Sequence, residues 1–99
     1  MAHRVSLNAK ADLDAIWLYI ARESGSMEVA NRQIDSLTDR FSFLARFPHA
    51  GRSREREFGA DIRSFPIGDY VIVYCVDGSD VSILRVVHGK RDFEAIFEQ

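Results

Sequence analysis

The sequence predicts an α+β fold, with an N-terminal helical hairpin packed on a small, mostly antiparallel sheet. The expected order is β-α-α-β-β-β, closed by a short C-terminal helix. Three observations predict it. Apolar residues recur at helical spacing through the first half of the chain. Alternating β-branched and aromatic runs fill the second half. One glycine-containing polar turn joins the two longest of those runs. Ninety-nine residues, 46% apolar and 28% charged, suit one domain over residues 1–99.

Arg4 to Leu7 alternates and reads as a first strand, with Asn8 placed to cap the helix after it. From Ala9 the period changes: Leu13, Ile16, Trp17 and Ile20 fall on one helical face. Asp12 and Asp14 are expected in the first turns, where negative charge suits the helix dipole. Trp17 reads as a core anchor or as the lining of a partner groove. Ser24-Gly25 is a stop signal, and Ser26 is a start signal for a second helix. Ala30, Ile34, Leu37, Phe41 and Leu44 then form a stripe that should end by Phe47-Pro48, because proline disfavours helix in the residue before it. The short link makes the two helices an antiparallel hairpin.

Pro48-His49-Ala50-Gly51 reads as a turn. Arg52 to Gly59 is charged, lacks apolar periodicity and reads as an exposed loop or short turn. Asp61 to Pro66 is the next strand, with Ile62 and Phe65 as its apolar members; Pro66 favours an edge or a strand end. The central hairpin comes next, Tyr70–Val76 and Val81–Val87, with residues 77–80 as its loop. That register pairs Val76 with Val81, Tyr74 with Ile83 and Tyr70 with Val87. Strict alternation places Arg85 and Val87 on the face of Tyr70, and Val86 and His88 on the face of Val71. Asp92 is placed to cap a last helix bearing Phe93, Ile96 and Phe97.

Net charge is −2, but it is unevenly spread: the first half is acidic, the middle is rich in arginine, and the hairpin exits into His88-Gly89-Lys90-Arg91. A basic side on an acidic chain suits an anionic partner. The lone Cys75, set among valines, reads as a small core residue and leaves no intramolecular disulfide to form. No apolar run is long enough for a membrane span, and the N-terminus lacks a signal-peptide pattern, so the cytoplasm is the expected compartment. His3, His49 and His88 are scattered, so no metal site and no cofactor is expected. One enzymatic reading survives. A ribonuclease acting through the 2′-hydroxyl needs a base, an acid and cations around the phosphorane. His88 with Arg85, Arg91, Lys90 and Arg63 supplies those residue types.

Four stretches carry a family likeness. They are Ala11-Asp12-Leu13-Asp14-Ala15-Ile16-Trp17, then Phe47-Pro48-His49-Ala50-Gly51-Arg52, then Ile62 to Tyr70, and finally Val81 to Phe93. In that order the chain resembles the RelE/ParE superfamily of toxins from bacterial type II toxin–antitoxin systems, and looks most like ParE. The resemblance implies a cognate ParD-like antitoxin whose C-terminal segment wraps the toxin. The antitoxin's ribbon-helix-helix part would bind operator DNA, so the toxin would meet that DNA only indirectly. ParE-like members poison DNA gyrase; RelE-like members cut mRNA on the ribosome. RelE-like nucleases carry an arginine just after the first tyrosine of this sheet, where this chain has Val71. They also use a C-terminal tyrosine, where it has Phe97. The expectation is therefore a gyrase poison with no catalytic residues. Arg63, Arg85, His88, Lys90, Arg91 and Phe93 are its expected target contacts, and Trp17 and Tyr19 are expected against the antitoxin. The alternative is an mRNA endonuclease using His88, Arg85 and Arg91.

Overall fold

The structure is a computed structural model that describes residues 2–59 and 61–89. Strand β1 (His3–Val5) leads into two long helices, α1 (Leu7–Ser24) and α2 (Met27–Arg46). A short strand β2 (Arg52–Ser53) and a single-turn helix α3 (Glu55–Phe58) come next. The chain then runs through β3 (Ile62–Ile67), β4 (Tyr70–Asp77) and β5 (Asp80–His88). The sheet order is β1-β5-β4-β3-β2, antiparallel except where β1 runs parallel to β5. The expected α+β architecture is present, with β2 and α3 added where a charged loop or short turn was expected. The expected C-terminal helix lies outside the described residues.

The first helix starts earlier than its sequence suggests. Ser6, not Asn8, is the N-cap, and its hydroxyl accepts from the Ala9 amide at 3.0 Å. The same hydroxyl donates to the Leu84 carbonyl at 2.9 Å, so one side chain starts α1 and ties it to β5. Leu7 is consequently the first helical residue and is 83% exposed, not a strand residue facing the core. Asp12 therefore lies past the first turn and does not act on the helix dipole. Gly25 ends the helix at φ 68°, a left-handed position that glycine adopts without a Cβ penalty. Ser26 caps α2 as expected, accepting from Val29 at 3.2 Å. None of the helices among the described residues is long and apolar enough to cross a membrane.

The α2 stripe delivers Leu37, Phe41 and Leu44 to the sheet. There they meet Ile16 of α1 and Tyr70, Ile72, Tyr74, Val81, Ile83 and Val86. Leu13 and Ile20 pack at the margin of this core. Trp17 does not join it; its indole donates to Asn31 at 2.7 Å and bridges the two helices. A second, smaller cluster lies on the opposite sheet face, where Val71, Val73 and Val87 meet Ile62 and Phe58 of α3.

The β4–β5 register matches the expected pairs near the turn, Val76 with Val81 and Tyr74 with Ile83. The loop is tighter than expected, Gly78-Ser79, because Asp77 pairs with Asp80. Beyond Tyr74 the register breaks: Val73 pairs with Arg85, and Tyr70 with His88 rather than with Val87. One extra residue, Leu84, makes a bulge. A bulge reverses the faces of everything after it. Val86 therefore enters the main core, Val87 joins the outer cluster, and His88 shares the face of Tyr70.

Pro66 fits inside β3 with no ladder bond lost. The Ile62 carbonyl accepts from Arg54 on the β2 side, so Ile62, Ser64 and Pro66 turn their backbone groups toward that edge. The short β2 reaches only Arg63 and Ser64, so no ladder bond is asked of Pro66.

The turn between helices and sheet is held from below by Tyr74. Its hydroxyl donates to the Pro48 carbonyl and accepts from the Gly51 amide, both at 2.8 Å. Arg63 donates to the Gly51 carbonyl at 2.7 Å. A Cβ on Gly51 would collide with the Tyr74 hydroxyl and lie 2.8 Å from the Ser64 carbonyl. Burial raises the Tyr74 pKa above the ordinary tyrosine range, partly offset by the Gly51 amide and Arg63. Because the folded pKa is raised, this phenol's share of stability is full below about pH 10 and is lost as pH rises through the folded value. Tyr74→Phe should cost about 1–3 kcal/mol in urea melts, since it strands a buried amide and carbonyl, and should flatten part of the alkaline loss. Gly51→Ala should cost at least as much.

Candidate functional site

Of the basic residues singled out by sequence, His88 stands at the end of the sheet where β5 exits, while Arg63 and Arg85 lie further back along their strands, paired with Tyr74 and Val73. His88 is exposed, and its ring stands edge-on to that of Tyr70 at 5.2 Å. Tyr70 is buried, and burial is the main cause of its raised pKa; Asp69 and then Tyr19 add to it. Tyr19 is 59% exposed and projects from α1 toward this corner. The Gly89 amide donates to the Asp69 carbonyl at 2.6 Å and fixes the chain as it leaves the strand. Lys90, Arg91 and Phe93 lie outside the described residues.

Arg85 is held from α1. Its Nε and Nη2 donate to the two carboxylate oxygens of Asp12 at 2.8 and 3.1 Å. The Val86 amide donates to the same carboxylate at 2.9 Å. Val86 lies past the end of β1, where a β5 amide facing outward would otherwise have no partner. The Asp12 hydrogen bond raises the Arg85 pKa, with desolvation opposing it. Bidentate pairing of this kind is among the stronger charge-assisted contacts. Arg63 is likewise engaged, on the Gly51 carbonyl. Of the described basic positions expected at a target, Arg63 and Arg85 are thus tied into the scaffold, and His88 stands clear.

Val71 occupies the outer sheet face, between Pro66 and Val87. It packs in the small cluster with Val73, Val87 and Ile62. A cation at that position would need to leave this apolar patch. Among the described residues no three His, Cys, Asp or Glu side chains come together as a metal site would require.

Sequence reasoning missed a second feature at the far end of α2. Phe43, Arg46, Phe47, Pro48, His49 and Ala50 line an open cavity of about 600 Å³. Phe47 is 51% exposed. The only signal in the sequence was two phenylalanines four apart just before a proline, which reads equally well as the end of a core stripe. The Asp12 latch was also missed, although Asp12 lies four residues before Ile16 and so on the buried face of α1.

Residues 4–93 match the family described as the ParE toxin of the type II toxin–antitoxin system parDE. The chain belongs to this family. Toxin ParE1 of Caulobacter vibrioides is 36% identical over 93 residues, covering 94% of each chain. Toxin ParE3 of the same organism is 30% identical over 84 residues, covering 85% of this chain and 82% of ParE3. In fold, the chain is similar to a structure of the chromosomal ParDE system from P. aeruginosa. That match has TM-score 0.77 and 23% identity, and covers 91% of this chain and 97% of the other. It is also similar to a toxin–antitoxin complex, RelBE2 from Mycobacterium tuberculosis, with TM-score 0.66, 26% identity, and coverage of 88% and 95%. The chain is thus a ParE-type toxin on the shared RelE/ParE fold.

The latch makes a thermodynamic prediction. Asp12→Ala leaves the Arg85 guanidinium and the Val86 amide without their partner and should cost about 2–3 kcal/mol. Removing both charges, Asp12→Ala with Arg85→Met, should restore part of that loss. A double-mutant cycle in urea should therefore show a clear coupling between the two positions.

Proposed function

We propose that this ParE-type toxin poisons DNA gyrase in the cytoplasm and is held inactive by a ParD-like ribbon-helix-helix antitoxin. The antitoxin alone would contact operator DNA. The observation that supports this over ribosomal mRNA cleavage is Val71. It lies where RelE-like nucleases place an arginine, and it is packed among Val73, Val87 and Ile62. Arg85, a described cation that could otherwise serve a phosphorane, already commits two donors to Asp12. His88, with Lys90, Arg91 and Phe93 beyond it, then acts as a recognition surface, with Arg63 and Arg85 bracing the scaffold beneath. Trp17 and Tyr19 on α1 face the antitoxin.

A nuclease reading keeps one supporting observation, the exposed His88 against Tyr70. The two readings separate in vitro. Purified toxin should abolish supercoiling by gyrase and accumulate cleavage complexes, and the antitoxin should reverse this. Reversing charge at Lys90 and Arg91 together should weaken inhibition about tenfold or more, as loss of complementary charge at an interface does. Intact supercoiling alongside mRNA cut in a translating extract, with cutting lost in His88→Ala, would establish the nuclease instead.

A further inference from the structure

We infer that the cavity at the end of α2 seats an apolar side chain from an acidic segment of the antitoxin, at a place separate from Trp17 and Tyr19. The inference rests on the proposal that this toxin has a protein antitoxin. The walls of the cavity are the rings of Phe43 and Phe47, 5.1 Å apart and tilted by 44°, with Phe65 of β3 behind Phe43 at 5.8 Å. Pro48, His49 and Ala50 close the other side. The tilted rings make a shallow, open apolar hollow, which a branched or aromatic side chain can cover.

The rim is cationic. Arg40 lies 5.4 Å over the Phe43 ring and Arg46 lies 5.7 Å over the Phe47 ring. Arg46 lines the cavity and Arg40 stacks on a ring that does, each guanidinium without a carboxylate partner among the described residues. An apolar anchor flanked by Asp or Glu matches both the hollow and its rim.

The hollow is also preformed. The Pro48–Gly51 turn that closes it is fixed by Tyr74 on two backbone groups and by Arg63 on a third. A ligand therefore orders little on arrival, which is how a small pocket contributes usefully to affinity.

Distance sets the form of the partner. Trp17 contacts Asn31, and Phe47 lies sixteen residues further along the α2 direction. At 1.5 Å per residue the two places are roughly 24 Å apart. One antitoxin segment can reach both only if it runs along α2 for about seven extended residues, or about sixteen helical ones.

The test is calorimetric titration of the full toxin with its purified cognate antitoxin. Phe47→Ala and Arg46→Glu should each weaken binding at least tenfold, and the Arg46→Glu loss should shrink in high salt. Leu7→Ala, on an exposed residue of α1, should change nothing. Both test positions are exposed, and thermal melts verify that the variants fold; Arg46→Glu decides the matter if Phe47→Ala does not. If wild type binds the antitoxin and both variants bind it within twofold, the inference is overturned while the antitoxin proposal stands. If wild type does not bind at all, both fall. If the variants lose binding to a fluorescent oligothymidine but not to the antitoxin, the hollow is a nucleic-acid platform and the inference is overturned.

Discussion

Three hydrogen bonds to the carboxylate of Asp12 tie the helical layer to the sheet. Two come from Arg85 and one from the backbone of Val86, so the contact fixes both a side chain and a strand. It sits beside the bulge at Leu84. β1 covers β5 only through Ile83, and the strand beyond would present a bare edge. The Ser6 hydroxyl takes up the Leu84 carbonyl and Asp12 takes up the Val86 amide, so side chains of α1 and its cap replace the missing strand. An edge satisfied in this way is also protected from pairing with other chains.

The bulge then sets the chemistry of the two sheet faces. With it, Val86 completes the core beneath the helices and Val87 closes over Val71 and Val73. His88 emerges beside Tyr70 on the helix-facing side. Arg85 is neutralised within the fold. The exit of β5 is therefore built on a rigid, charge-balanced base. That base supports the proposed recognition surface at His88 over the alternative of a site that gathers cations around a reacting phosphate.

Much of this could be read from the chain. The α2 stripe and the Pro48–Gly51 turn carry strong local signals, and the hairpin loop and its first pairs come from turn chemistry. The register beyond Tyr74 could not be read, because Val86 and Val87 are both apolar and both sheet faces are covered. Alternation then carries no information about which valine faces the core. Asp12 with Arg85, and Tyr74 with Pro48 and Gly51, are contacts across 73 and more than 20 positions, and no local pattern announces them. Trp17 misled for the opposite reason: it sits on the apolar stripe by spacing but commits its indole to Asn31. The open cavity at the end of α2 was invisible because an exposed Phe47 and a core phenylalanine have the same letter and the same spacing.

Amide hydrogen exchange at Val86, monitored by NMR, addresses the Asp12 contact most directly. The Val86 amide points to the strand edge beyond β1, where the Asp12 carboxylate is its hydrogen-bond partner. It should exchange as slowly as ladder amides of β4 and β5 in the wild type. In Asp12→Ala it should become fast while the amides of Val76 and Val81 stay protected. A wild-type Val86 amide that exchanges freely, or one whose protection survives the loss of Asp12, would contradict this role for Asp12.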